Sequence, residues 1–586
     1  MNCYTEIAKL TPEFMNLASV IKKNRLPSGV TGLSHVHKSH VIASMCMCLM
    51  KKAIVIAPDE AQATRMRQDM EAFGINALLY PARDFSFRTH ETVSREYEHA
   101  RLRVLDKMLS GDYDAVVLSA EAASQLTVPP AMLMNNSFAV TVGEEYEVDE
   151  LLLSLVRCGY TRSEQVDGPG QFALRGGILD FFPPDSKLPC RVEFWGDAVD
   201  SIAFFELESQ RRTDMTDEIR ITPAREILCT DEMLTALIER HISDKKIRGD
   251  ALKKLEEDLN SLNDGVRLSS FDKYMPLIYP DTASIFDYAN GAMLFVCESF
   301  AVKDKFNAAC QLMNETVKGL FQDGTLCKGL DRYILQPFEL FSVYEKLGAV
   351  YLDNLPRGSF DTPVKELITF TAKQIAPWNG TFSAIVDDLQ VIRKLGNSCA
   401  ILAGTDKSAK TLADDLENEG IPALFCPVPP AEFPPKTVCV LPGGLSYGFE
   451  YPAAKFTLIT YRSRTVSKNR VVSSKRVKNA FNNLDELHRG EYVVHATHGI
   501  GIFEGIQTLE ASGNTKDYIK IQYDKGDNLY VPVTQLDQVS KYIGPKSDEK
   551  PLKLSKLGGK DWQKTRSRVK SAVKDMAKEL IELYSK

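Results

Sequence analysis

Gly29-Val30-Thr31-Gly32-Leu33-Ser34-His35-Val36 occupies the place in the N-terminal part of the chain where a nucleotide-binding loop would sit. Such a loop needs the spacing G-x-x-x-x-G-K-[ST], because glycine-rich backbone and a lysine cradle phosphates while a hydroxyl holds magnesium. Gly29 and Gly32 are present, but Ser34 stands for the closing glycine, His35 for the lysine and Val36 for the hydroxyl. Lys38-Ser39 is out of register. The phosphate clamp is lost, so the loop reads as scaffold and no nucleotide is expected on it. Two further letter matches fail on context. Asp485-Glu486-Leu487-His488 spells the D-E-x-H box, yet it follows Phe481-Asn482-Asn483-Leu484 and precedes Arg489-Gly490, a polar helix end rather than the apolar strand that would bring carboxylates to magnesium. Gly444-Leu445-Ser446-Tyr447-Gly448 spells a nucleophile elbow, which needs a helix straight after the turn. Phe449-Glu450-Tyr451-Pro452 reads as a strand instead. Nine histidines, His35, His37 and His40 among them, and 12 cysteines without a C-x-x-C offer no metal-ligand spacing. Neither a catalytic residue nor a metal is assigned.

The elements that position these residues follow from apolar runs. Lys52 to Pro58, Ala77 to Pro81 and Ala115 to Ser119 are short buried strands separated by helical segments, the pattern of a parallel sheet covered on both faces. From about 126 to 225 shorter strands with Gly and Pro breaks indicate a mixed or antiparallel insert. The α/β pattern resumes over 226–350, with Ala292 to Cys297 as a core strand, and 355–450 is a further small α/β domain with strands near Cys399 to Ala403 and Thr437 to Leu441. A basic linker occupies 451–485, with seven Lys/Arg and no acid from Arg462 to Lys478. A β-module spans 486–545, and a basic segment from 546 to 586 ends in an amphipathic helix. At 586 residues, about four domains of ordinary size are expected. A net charge of −7 argues against a protein that simply coats nucleic acid. The longest apolar run, Val41 to Met50, is too short to span a bilayer. With scattered thiols and no secretory signal, a cytoplasmic protein is expected.

Two segments carry recognisable surfaces. One runs Gly159-Tyr160-Thr161-Arg162, then Gly170-Gln171-Phe172-Ala173-Leu174-Arg175-Gly176-Gly177-Ile178-Leu179-Asp180-Phe181, and on from Cys190 to Ile202. The other runs from Gly490 to Val533, with strands at Tyr492 to Val494, Gly499 to Phe503, Tyr518 to Tyr523 and Leu529 to Val533 and a hairpin turn at Asp524 to Asn528. Gly499, Gly501 and Gly505 permit the bends that close a small barrel.

The first segment resembles the UvrA-binding domain that UvrB shares with the bacterial transcription-repair coupling factors, and the loop at Gly29 resembles the UvrB P-loop stripped of its nucleotide chemistry. The second resembles the RNA polymerase-binding module that the coupling factors share with CarD-type regulators. The chain thus resembles the N-terminal part of a coupling factor along essentially its whole length. The resemblance implies an α/β multidomain fold: a degenerate RecA-like parallel sheet (1–125 and 226–350) interrupted by the insert (126–225), the small α/β domain, an SH3/Tudor-like barrel and the C-terminal helix. It implies that Arg162, Phe172 and Arg175 contact UvrA and that Leu509 contacts the polymerase β subunit. In the family, ATP and magnesium serve a translocase on double-stranded DNA that releases polymerase stalled at lesions. No motor motif is found before Lys586, so ATPase activity is not expected of these residues, and the UvrA surface that the family's C-terminal domain masks should be open. The rival expectations are a CarD-like transcription regulator and a UvrB-like helicase.

Overall fold

The structure is a computed structural model. It describes residues 3–88, 95–265 and 268–461, apart from positions 208, 269 and 379, and further along 490–495, 498–511, 514–532, 539–541 and 554–555. The expected linker 451–485 starts too early, because Phe456–Thr460 is a buried strand of the small α/β sheet; the rest of it from 462, Asp485 to His488 and the C-terminal helix lie outside the described residues. The chain divides into two compact units, 1–466 and 467–586.

In the first unit the apolar runs form a seven-stranded, all-parallel sheet. Its order is Glu366–Thr369, Ser28–Thr31, Ala349–Leu352, Met293–Cys297, Ala53–Ala57, Ala115–Ser119 and Ala77–Tyr80. Five of these strands are buried along their whole length, which explains why they read as continuous apolar runs rather than alternating ones. Met293–Cys297 and Ala349–Leu352 sit at the centre, although the chain reaches them only after the insert. Glu366–Thr369, which carries no apolar run, adds an edge strand beside Ser28–Thr31.

The small α/β domain is a six-stranded mixed sheet in which Ser398–Leu402 is paired in parallel with Val438–Leu441 and Phe456–Thr460. Its Phe449 and Tyr451 pack against His37, His40 and Phe73 of the first sheet's helices. His40 is fully buried; its Nε2–H donates to the Tyr4 carbonyl at 2.8 Å and its Nδ1 lies 3.0 Å from the Tyr451 hydroxyl. Ser446 donates its backbone N–H and its hydroxyl to the buried Asp69 carboxylate, at 2.8 and 2.5 Å. The letters of a nucleophile elbow are therefore a docking contact, followed by the strand Gly448–Tyr451.

The insert leaves and rejoins this frame through a buried ionic cluster. Arg101, fully buried, donates to Glu226 at 2.5 Å and to Gln125 at 2.7 Å, and Thr127 donates to Glu226 at 2.8 Å. Arg83 forks onto Asp272 at 3.1 Å. Burial alone would raise the pKa of Glu226, but Arg101 and Arg83 beside it hold it below the usual carboxylate range.

The second unit contains a five-stranded antiparallel sheet ordered Asn528–Pro532, Asn514–Gln522, Gly499–Ala511, Tyr492–His495 and Val539–Lys541. Val493, Phe503, Ile519, Ile521, Tyr523, Val531 and Val539 form its core. Ser555 ties across it: its N–H donates to the Ile500 carbonyl, its hydroxyl accepts from Ile500 N–H, and its carbonyl accepts from Asp524 N–H. Two long strands depart from the sequence reading. Pairing extends to Ala511 and begins again at Asn514, because cross-strand hydrogen bonds recruit polar residues that carry no apolar signal.

Candidate functional site: a closed loop, an open sheet face and a projecting hairpin

Gly32, at φ +84°, turns the chain from the Ser28–Thr31 strand towards the helix His35–Leu49. A Cβ at Gly32 would lie 2.2 Å from the Phe370 carbonyl oxygen, so the backbone after the edge strand runs directly over the loop. Phe370 N–H donates to the Thr31 carbonyl at 2.9 Å. Phe360 closes on Gly29 in the same way, 2.7 Å from where a Cβ would stand. His35 is exposed at the helix start. Lys38, one turn on, has no exposed side-chain surface and pairs with Glu298. Glu298 follows the Met293–Cys297 strand at φ +58° and also accepts the Asn354 N–H at 3.2 Å. Asp353, at the end of the next strand, accepts from Ser299 N–H and hydroxyl at 2.7 and 2.8 Å and pairs with Arg357 at 3.2 Å. Burial raises its pKa, and the Ser299 hydrogen bonds oppose that. These charges satisfy one another at the carboxyl ends of the central strands. The sequence reading missed Glu298, although an apolar strand ending in Cys297-Glu298-Ser299 is the context an acidic box would need.

In the insert, six strands are ordered Arg212–Met215, Ala198–Phe205, Cys190–Trp195, Ile178–Phe181, Gln171–Arg175 and Thr161–Arg162. Period-two alternation sends Phe172, Leu179, Phe181, Val192 and Ile202 to one face, against Leu151 and Leu155 of the helix Val148–Arg157. The other face carries Arg175, Asp180, Arg191, Glu193 and Trp195. Asp180 is 1% exposed and takes Arg175 at 2.7 Å on one side and Arg191, as a fork, at 2.7 and 2.8 Å on the other. The hydrogen bonds to Asp180 hold Arg191 above its ordinary pKa, and its guanidinium also lies over the Phe205 ring at 4.5 Å. Glu193 pairs with Arg212.

The three residues assigned to UvrA contact do not form one patch. Phe172 is 1% exposed, so its ring is core. Arg162 is exposed on the edge strand, in register with Phe172 and hence on the helix side of the sheet. Arg175 alone is exposed on the open face. Leu509 lies in the Gly499–Ala511 strand opposite Lys516. Among the described residues the neighbouring strands pair as far as Tyr518 and Ile502, and Leu509 lies past both points. Among the described residues, no group of three or more His, Cys, Asp or Glu is placed to hold a metal, and no helix is long and apolar enough to cross a membrane.

An all-parallel α/β frame without a phosphate clamp, bearing a mixed insert, and a β-module in the second unit define a multidomain α/β protein. Comparison with known families gives the modules their classes. Residues 138–227 match the UvrB interaction domain, and residues 487–543 match the CarD-like/TRCF RID domain. Over nearly its whole length the chain is a homologue of the transcription-repair-coupling factors. It is 28% identical over 595 residues to the Bacillus subtilis protein of that name, 98% of this chain and 50% of the relative. It is likewise 28% identical over 609 residues to that of Staphylococcus aureus, and over 571 residues to that of Staphylococcus epidermidis. The chain spans about half the length of the curated relatives it matches.

Proposed function

We propose that this chain couples transcription to nucleotide excision repair in the cytoplasm, holding RNA polymerase through the β-module and UvrA through the insert. The observation that carries this reading is the presence of both modules in one homologue of the coupling factors. A UvrB interaction domain favours this reading over a promoter-bound CarD-like regulator, which has no need of a repair partner. The covered loop at Gly32 and the Lys38–Glu298 pair favour it over a UvrB-like helicase, because the lysine nearest the loop is already spent on a carboxylate. On this reading the first sheet is scaffold and uses no cofactor. The force that releases stalled polymerase comes from an ATP- and magnesium-dependent translocase on double-stranded DNA, carried by another part of the intact protein.

Contact with UvrA runs through Arg175 on the open face, with Arg162 at the sheet edge as a second, flanking cation. Contact with the polymerase β subunit runs through the hairpin at Leu509, whose strand edges have no further pairing among the described residues and could add a partner strand. Purified UvrA and β subunit, each tested for binding to the 586-residue chain, provide the test. Arg175→Ala should weaken UvrA alone and Leu509→Arg the β subunit alone. Absence of UvrA binding, or UvrA binding indifferent to Arg175→Ala, overturns the repair half of the reading. Unchanged β-subunit affinity in Leu509→Arg overturns the transcription half.

A further inference from the structure

Trp195 is the last residue of the Cys190–Trp195 strand and is 85% exposed. It stands on the open face of the insert, two residues beyond Glu193. Register places Arg175 opposite Ile178, and Ile178 opposite Glu193, so Arg175 and Trp195 are separated by two strand spacings and one side-chain repeat. At about 5 Å per strand and about 7 Å per repeat, both fall within one contact patch. Met215, 68% exposed, lies on the same sheet two strands from Glu193's, opposite Ala203.

The turn that presents the indole is held from behind. Gly196 adopts φ +66°, which lets the chain reverse tightly at Gly196-Asp197. The segment before the insert helix then binds this turn from outside the hairpin: Tyr146 N–H donates to the Asp197 carbonyl at 2.8 Å, and Val199 N–H to the Glu144 carbonyl at 2.9 Å. Gly143 N–H donates to the Val199 carbonyl at 2.8 Å. Phe194 N–H donates to the Gly177 carbonyl at 2.8 Å, fixing the neighbouring turn as well. The backbone under an exposed tryptophan is thus fixed before any partner arrives, which lowers the ordering cost of using it in an interface. Around it the two carboxylates of the face are each taken up by arginines of the same sheet, and Arg175 and Arg212 keep 48% and 42% of their side-chain surface open.

We infer that Trp195 is the apolar anchor of the UvrA contact, inserting into an apolar recess of the partner that is flanked by carboxylates facing Arg175 and Arg212. This rests on the reading of the insert as the UvrA-binding surface and extends it from a cationic contact to one whose specificity lies in an indole. Tryptophan and arginine dominate binding energy at contact centres, and truncating such an anchor weakens binding at least about 30-fold.

The test is the dissociation constant of the 586-residue chain for purified UvrA, measured with Arg175→Ala, Trp195→Ala and Trp195→Phe. The expected result is a loss of at least about 30-fold in Trp195→Ala, with most of it restored in Trp195→Phe, which keeps an aromatic face in the recess. Trp195 is exposed, so the melting temperature should not move and a folding defect is separable from a binding one. If Arg175→Ala weakens UvrA while Trp195→Ala stays within about twofold of the unaltered chain, the anchor is overturned and the UvrA surface stands. If the unaltered chain does not bind UvrA, or if neither substitution matters, the surface and the anchor are overturned together.

Discussion

The carboxyl ends of the central parallel strands and the open face of the insert use the same parts, cations paired with buried carboxylates, to opposite ends. At the former, Lys38 and Asp353 have no exposed side-chain surface, and the chain lies over Gly32. At the latter, Asp180 is as deeply buried, but Arg175 and Trp195 look outward. At both places one member of the pair is buried and the other keeps some solvent contact, but the share differs: Glu298 and Arg357 keep 22% and 30% of their side-chain surface open, against 48% for Arg175. What separates the two places is the degree of solvent access, not residue type.

The sharpest way to break the comparison is at Glu298. Glu298→Ala strands the Lys38 ammonium without its partner in a buried position, and a destabilisation of about 3–5 kcal/mol is expected from equilibrium unfolding in urea. Replacing both partners by apolar residues, Lys38→Met with Glu298→Leu, should recover most of that loss. A Glu298→Ala change within about 0.5 kcal/mol of the parent would show that the pair is not structural.

The insert should answer differently. Asp180→Ala removes the acceptor of both Arg175 and Arg191 and should cost about 2 kcal/mol, since both arginines can still reach water. Arg175→Ala, at an exposed position, should cost less than about 0.5 kcal/mol while it lowers UvrA affinity. If Arg175→Ala destabilises as much as Asp180→Ala, the face is held together by that pair rather than prepared for a partner.

A smaller, graded effect distinguishes the frame by pH. Burial pushes His40 down to about 4, partly opposed by its bond to Tyr4, and pushes His99 down to about 4, with neighbouring Arg95 adding to it. Because these folded-state values lie below the unfolded value, their neutral forms are favoured by folding and the stability is fully present above about pH 6.5. It is lost as pH falls from about 6.5 towards 4, by about 1 kcal/mol per pH unit per histidine at the steepest. His40→Gln should flatten the dependence of the urea midpoint on pH over that window; an unaltered slope would remove His40 from the account.

Much of the frame was legible because buried parallel strands announce themselves as apolar runs: Ala53–Ala57, Ala77–Tyr80, Ala115–Ser119 and Met293–Cys297 fall where the sequence places them. The Glu366–Thr369 edge strand was not, since a half-exposed strand of mixed residues has no such run. The Lys38–Glu298 pair was invisible for another reason: 260 positions and an entire insert separate the two residues, and only the sheet order brings them together. In the insert the motif is readable as a whole, and so in part are its faces. Alternation along Gln171–Arg175 opposes Phe172 to Arg175, a period-two signal that separates the core ring from the exposed guanidinium. The exposure of Trp195 depends on a turn at Gly196 and on the segment pinning it, neither of which the local pattern encodes.

The central claim is that one chain holds a repair protein and a transcription protein at separate modules without nucleotide chemistry of its own. Its most direct test is size-exclusion chromatography with light scattering on the 586-residue chain mixed with UvrA and the polymerase β subunit, with no nucleotide added for the chain. The account predicts a single complex containing all three proteins, reduced to a UvrA complex by Leu509→Arg and to a β-subunit complex by Arg175→Ala. Mutually exclusive binding of the two partners, or a complex indifferent to both substitutions, would contradict it.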